Sequence, residues 1–134
     1  RGLDMICANP DKVVQRGGKL IYCGGALADL YEVMGGKVLM AGKPYAPIYE
    51  LSLMEAERLL GRPLDRSRVL CIGDGVPTDV LGANRQGLDC LFVATGIHGA
   101  ETLNAAGQLD AAATARVLNT AGAHAAYAIS DLVW

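Results

Sequence analysis

The stretch Arg68-Val69-Leu70-Cys71-Ile72-Gly73-Asp74-Gly75-Val76-Pro77-Thr78-Asp79 decides the fold. Its first half is apolar almost throughout, without polar alternation. That pattern fits a central parallel strand buried on both faces. Gly73 and Gly75 then let the backbone turn tightly. The segment through Asp79 reads as a loop and the first turn of a helix that ends near Gly87.

Working outward, residues 90–94 repeat the strand pattern and end in Thr95-Gly96. The alanine-rich stretch 100–120 predicts one or two helices, and 126–129 a last strand. Upstream, 38–41 predict a short strand leading into Gly42-Lys43-Pro44. Residues 47–60 are helical, with Ile48, Leu51, Met54 and Leu59 among their apolar positions, and Gly61-Arg62-Pro63 ends them. A further helix over 26–34 follows from Leu27, Leu30, Tyr31 and Met34, with Gly35-Gly36 as its stop. Residues 2–8 form an apolar segment ending at the turn Asn9-Pro10-Asp11. Gly17-Gly18 and Tyr22-Cys23-Gly24-Gly25 read as breaks.

Strands alternating with helices of this length give an α/β fold, a parallel sheet with helices on its faces. The right-handed crossover rule places the loops after Ala41, Ile72 and Ala94 along one edge of that sheet. Ligands of such folds bind outside the carboxyl ends of the strands.

Composition narrows the function classes. With 51% apolar and 19% charged residues, the 134-residue chain has the make-up of a folded domain. Twelve basic against fourteen acidic residues leave a formal charge of -2, which gives no broad electrostatic reason to hold nucleic acid or an acidic membrane. No signal peptide opens the chain, and no apolar stretch approaches the length of a membrane span. Cys7, Cys23, Cys71 and Cys90 are far apart, with no Cys-x-x-Cys pair, and read as buried free thiols suited to a reducing cytoplasm.

Two loops carry the chemistry. Taken alone, Lys43 reads as a solvated surface lysine and Asp74-Gly75 as a turn. Together they say more. Asp74 leaves a buried strand directly and Asp79 lies in the next helical turn, so both carboxylates can reach one crevice. Hard oxygen ligands of this kind suit Mg2+, which keeps waters and takes substrate phosphate as a further ligand. A divalent cation also relieves the repulsion between two close carboxylates. A lysine beside them can neutralise phosphate oxygens.

At this point a family resemblance becomes specific. Gly73 to Asp79 is similar to the fourth motif of haloacid-dehalogenase-like hydrolases, and Gly42-Lys43-Pro44 to their third. The surrounding sequence resembles the branch with an inserted α/β cap, typified by N-acetylglucosamine-phosphate and 4-nitrophenyl phosphatases. Cys7-Ala8-Asn9-Pro10-Asp11 is similar to that branch's cap segment, and Gly24-Gly25-Ala26-Leu27 to its later cap turn. Gly87-Leu88-Asp89-Cys90, leading to Val93 and Thr95-Gly96, fits the strand after the metal motif. The likeness runs from Gly2 to about Glu101.

The resemblance implies a Mg2+-dependent phosphate-monoester hydrolase acting through an aspartyl-phosphate on a small phosphorylated metabolite. Asp74 would ligate the metal, Asp79 would support the metal or its waters, and Lys43 would hold both phosphoryl group and nucleophile. Residues 1–37 would be the carboxyl-terminal part of the cap and 38–134 the second half of a Rossmann-like core. Asn9, Asp11, Gly24, Gly25 and Ala26 are candidates to face substrate, with plain turn structure as the alternative.

The family's nucleophile pair, Asp-x-Asp, occurs nowhere in these residues, and Ser52 and Ser67 stand in the wrong context for its second motif. The chain therefore reads as a portion of such an enzyme, inactive by itself, that associates with the missing amino-terminal half or with another copy. A non-catalytic fragment of α/β fold, binding phosphate or metal or serving as an interaction domain, is the rival reading. A dinucleotide-binding domain is disfavoured, because Gly24-Gly25 does not form a Gly-x-Gly-x-x-Gly loop.

Overall fold

The computed structural model describes residues 2–16 and 19–133. The expected break at Gly17-Gly18 lies outside the described residues. Two compact units divide between Ser52 and Leu53.

The first unit holds two small sheets. Strands β1 (Met5–Cys7) and β4 (Val38–Met40) pair in parallel, with Ile6 opposite Leu39. Strands β2 (Val13–Arg16) and β3 (Lys19–Tyr22) form an antiparallel pair with Val13 opposite Tyr22. Helix α1 (Gly24–Val33) follows. Its amino end lacks a side-chain cap, and backbone does that work instead. The Gly25 N–H donates to the Asp11 carbonyl at 3.0 Å, satisfying a helix-end donor that would otherwise be orphaned. Gly24 and Gly25 thus open a helix; they are not the break expected from their composition. Helix α2 (Ala46–Leu60) begins in this unit, runs across the division and has no buried residue.

The second unit is built on a three-stranded parallel sheet of order β5-β6-β7, formed by Leu70–Gly73, Asp89–Val93 and Tyr127–Ile129. The central strand β6 carries the core, with Cys90 and Phe92 fully buried and Ala94 just beyond it. A π-helical turn (Val76–Val80) and α3 (Leu81–Arg85) add buried Val76, Val80 and Ala83. Burying a side chain the size of Phe92 contributes about 1.5–3 kcal/mol. Helix α4 (Gly99–Thr102) leads to α5 (Ala111–Thr120), whose amino end is capped by Asp110, accepting from the Ala113 N–H at 2.9 Å. Asn84 fixes the approach to β7 through two bonds with the His124 backbone, at 2.7 and 2.8 Å.

The structure corrects two expectations. Strand β5 is an edge strand in this sheet, and Leu70 and Ile72 are 44% and 45% exposed instead of buried on both faces. Nor do the loops after Ala41, Ile72 and Ala94 leave one sheet, since β4 pairs with β1 and belongs to the other unit. All four cysteines are free, with Cys7 and Cys90 buried and Cys23 and Cys71 half-buried. Among the described residues, no helix is long and apolar enough to cross a membrane.

Candidate metal and phosphate site

Asp74 and Asp79 lie on either side of Gly75 in the chain, just past the carboxyl end of β5. The turn that joins them is tight because one carbonyl serves it repeatedly. Gly75 C=O accepts from the N–H groups of Thr78, Asp79 and Val80 at 3.3, 2.7 and 3.1 Å. The last of these is the i to i+5 bond of a π turn, a form enriched at functional sites. It folds the Asp79 side chain back over the strand end, where Oδ2 accepts the Gly75 N–H at 2.9 Å. Gly73 makes room for this. A Cβ there would lie 2.6 Å from Asp79 Oδ2 and collide with the carboxyl carbon.

Asp79 is only 8% exposed. Its negative charge reaches the interior thiols behind it. Burial raises the Cys71 thiol and Asp79 adds to the rise; burial, then Cys71, then Asp79 push Cys90 up to about 11.

Asp74 is half-buried and oriented from the loop that follows the neighbouring strand β6. Its Oδ2 accepts the Ile97 N–H at 2.9 Å, whereas Oδ1 makes no hydrogen bond among the described residues. Two carboxylates, one with an oxygen so disposed, fit Mg2+. This ion commonly takes one or two protein carboxylates and completes its shell with water and phosphate. No cluster of three or more His, Cys, Asp or Glu side chains able to hold a metal occurs among the described residues.

In the first unit, the other expected positions gather at the carboxyl ends of β1 and β4. Asn9 Oδ1 accepts the Asp11 N–H at 3.2 Å, closing a local turn. That turn packs on the start of α1. A Cβ on Gly24 would lie 2.9 Å from the Asn9 carbonyl oxygen, and one on Gly25 would collide with the Pro10 carbonyl. Ala26 lies in the same first helical turn and donates to the Cys23 carbonyl at 3.1 Å. Gly42 is buried against this loop, where a Cβ would meet the Ala8 carbonyl and lie 2.5 Å from Pro10 Cδ. The next residue, Lys43, is exposed, and its peptide bond to Pro44 is cis. Pro10 thus lies between two neighbours, with Gly25 close to its carbonyl and Gly42, just before Lys43, close to its ring.

The family model described as HAD-hydrolase-like matches residues 40–123, which include both loops. The chain belongs to the HAD-like hydrolase family. No curated protein matches it.

Solved structures of the HAD-like type agree. A hydrolase of the haloacid dehalogenase-like family from Brucella suis 1330 is 45% identical, over 98% of this chain and 45% of that one, with a TM-score of 0.70. A double-mutant thermostable NPPase from Geobacillus stearothermophilus is 32% identical over 72% of this chain and 37% of that one, at a TM-score of 0.59. A p-nitrophenyl phosphatase from Archaeoglobus fulgidus shares the fold, with 24% identity over 97% of this chain and 44% of that one and a TM-score of 0.66. The chain spans less than half the length of each of these three proteins.

Sequence reasoning missed Gly96 and Ile97 as the neighbours that hold Asp74. Thr95-Gly96 marks the end of a strand in the sequence. Only the pairing of β5 with β6 shows that the loop after the second strand orients the aspartate after the first.

Proposed function

We propose that the polypeptide containing this chain is a Mg2+-dependent phosphate-monoester hydrolase, with its nucleophilic aspartate supplied by residues outside these 134. The observation that carries this reading is the disposition of Asp74, with one oxygen tied to the Ile97 N–H, in the same loop as the buried Asp79. Membership of the HAD-like family and the phosphatases among its structural neighbours support it.

Asp74 would hold the metal through its remaining oxygen, and Asp79 would hold the loop and add negative charge. When bound, Mg2+ offsets charge on the phosphoryl oxygens. Lys43 would hold those oxygens and the nucleophilic carboxylate, an electrostatic role that phosphoryl transfer depends on. An oxygen of that carboxylate attacks phosphorus, and the substrate alcohol departs with a proton from a general acid. Water then attacks the aspartyl-phosphate, releasing phosphate and restoring the carboxylate. The substrate would be a small phosphorylated metabolite. Residues 1–37 would form part of the cap that selects it, and 38–134 would complete the core.

The half-exposed Leu70 and Ile72 on edge strand β5, with the apolar positions Leu51, Met54 and Leu59 exposed on α2, support association with the rest of the polypeptide or with a second copy. A reducing cytoplasm suits the four free thiols.

The test is p-nitrophenyl phosphate hydrolysis by the intact protein, by its Asp74→Asn variant and by the 134-residue chain alone. Mg2+-dependent turnover is expected from the intact protein, with negligible turnover from the variant and the chain alone. Metal-dependent turnover by the chain alone would overturn the assignment of the nucleophile. Retention of phosphate with Mg2+ but no turnover by the intact protein would favour a binding module instead.

A further inference from the structure

Asp74 is shaped from outside its own loop. Its Oδ2 is fixed by the Ile97 N–H at 2.9 Å, and its carboxyl group lies over Gly96 so closely that any Cβ there would collide with it. The Gly96–Ile97 segment is itself held on several sides. The Thr95 N–H donates to the Ser130 carbonyl at 2.9 Å, and the Gly99 N–H to the Gly96 carbonyl at 3.0 Å. The fully buried Thr102 donates its hydroxyl to the His98 carbonyl at 2.8 Å. The Ile97 side chain is 73% exposed, so its backbone, rather than its packing, is what the site uses.

We propose that Gly96 and the Ile97 N–H form a positioning device for Asp74, which occupies one carboxylate oxygen and leaves the other directed for Mg2+. The inference rests on the Mg2+ role proposed for Asp74 and adds the residues that orient it. A rigid donor fixes the carboxylate rotamer before the ion arrives, so the ion need not order the side chain. Residues that orient a metal ligand typically matter to metal affinity by about 10- to 100-fold. Gly96→Ala should therefore weaken Mg2+ binding by that range, because the new methyl displaces the carboxylate.

The experiment measures Mg2+ affinity of the intact protein by calorimetry, with substrate absent, together with the melting temperature of the metal-free form. Gly99→Ala serves as control, since a Cβ there has its nearest neighbour at 3.4 Å. Gly96→Ala is expected to bind Mg2+ on the order of 10- to 100-fold more weakly, to regain activity at high Mg2+, and to melt near the wild type. Gly99→Ala should bind normally. If Gly96→Ala does not fold, Ile97→Pro, which removes the N–H at an exposed position, decides: weaker binding supports the device and unchanged binding overturns it. Tight wild-type binding left unchanged by Gly96→Ala overturns the positioning role alone. A wild-type protein that binds no Mg2+ overturns the functional reading and this role with it.

Discussion

Asp79 is the clasp of the Gly75 turn: its Oδ2 accepts the Gly75 N–H at 2.9 Å from a position almost closed to solvent. Its two duties, holding the backbone and supplying charge, can be separated. Asp79→Ala leaves the Gly75 donor unsatisfied and is expected to cost about 1–3 kcal/mol of stability. Asp79→Asn keeps an acceptor oxygen and should cost less. Both should weaken Mg2+ binding, because both remove the charge. Urea unfolding alongside calorimetric Mg2+ titration checks the split. Equal destabilisation by the two variants would show that the hydrogen bond is not what holds the turn.

The raised Cys90 thiol gives a pH dependence at the alkaline end. Burial is the first cause, with Cys71 and Asp79 adding to it, and together they push the thiol from about 9 to about 11. The folded state holds this proton more tightly than the unfolded chain. Its contribution to stability is complete below about pH 9 and is lost as pH rises toward 11. Denaturation midpoints measured across that window should fall with pH, and less steeply for Cys90→Ala. At neutral pH, Cys90 should resist alkylation until the protein unfolds.

What was legible in the sequence was local. The apolar runs of β5 and β6 and the stops at Gly35-Gly36 and Gly61 announced themselves by composition and period. The carboxylates at 74 and 79 were legible as a pair because a strand end and the following turn are neighbours along the chain. Pairing partners were not. Nothing in residues 38–41 says that they join Met5–Cys7 and not Leu70–Gly73, since both strands are short and apolar. The β2–β3 pair was missed beside the Gly17-Gly18 break. Gly24-Gly25 was misread because glycine disfavours helix in general, whereas here Gly25 lies too close to Pro10 to carry a side chain. The Ile97 donor was invisible, because a backbone N–H has no letter in a sequence.

Phe92 anchors the second unit from the middle of β6, with no exposed surface. Phe92→Ala should cost about 3–5 kcal/mol through lost burial and the cavity left behind. Denaturant unfolding followed by circular dichroism reads this directly. A cost below about 1 kcal/mol would place the core elsewhere.

Lys43 sits on an exposed loop whose shape is fixed by the burial of Gly42 against Ala8 and Pro10. In the intact protein, Lys43→Ala is expected to lower kcat by about 10²- to 10³-fold, the usual effect of removing one donor to developing charge. Steady-state kinetics at saturating Mg2+ check it. A rise in KM with kcat unchanged would assign Lys43 to substrate binding alone.

The proposed phosphatase reaction requires Lys43 and Asp74 to serve one phosphoryl group in the intact protein. The most direct measurement is a crystal structure of the intact protein with Mg2+ and vanadate bound as a phosphate mimic. Mg2+ is expected on Asp74, with a vanadate oxygen within hydrogen-bond reach of Lys43 Nζ, about 2.7–3.2 Å. Vanadate bound beside Mg2+ with Lys43 pointing elsewhere would contradict the claim, as would a metal bound away from Asp74.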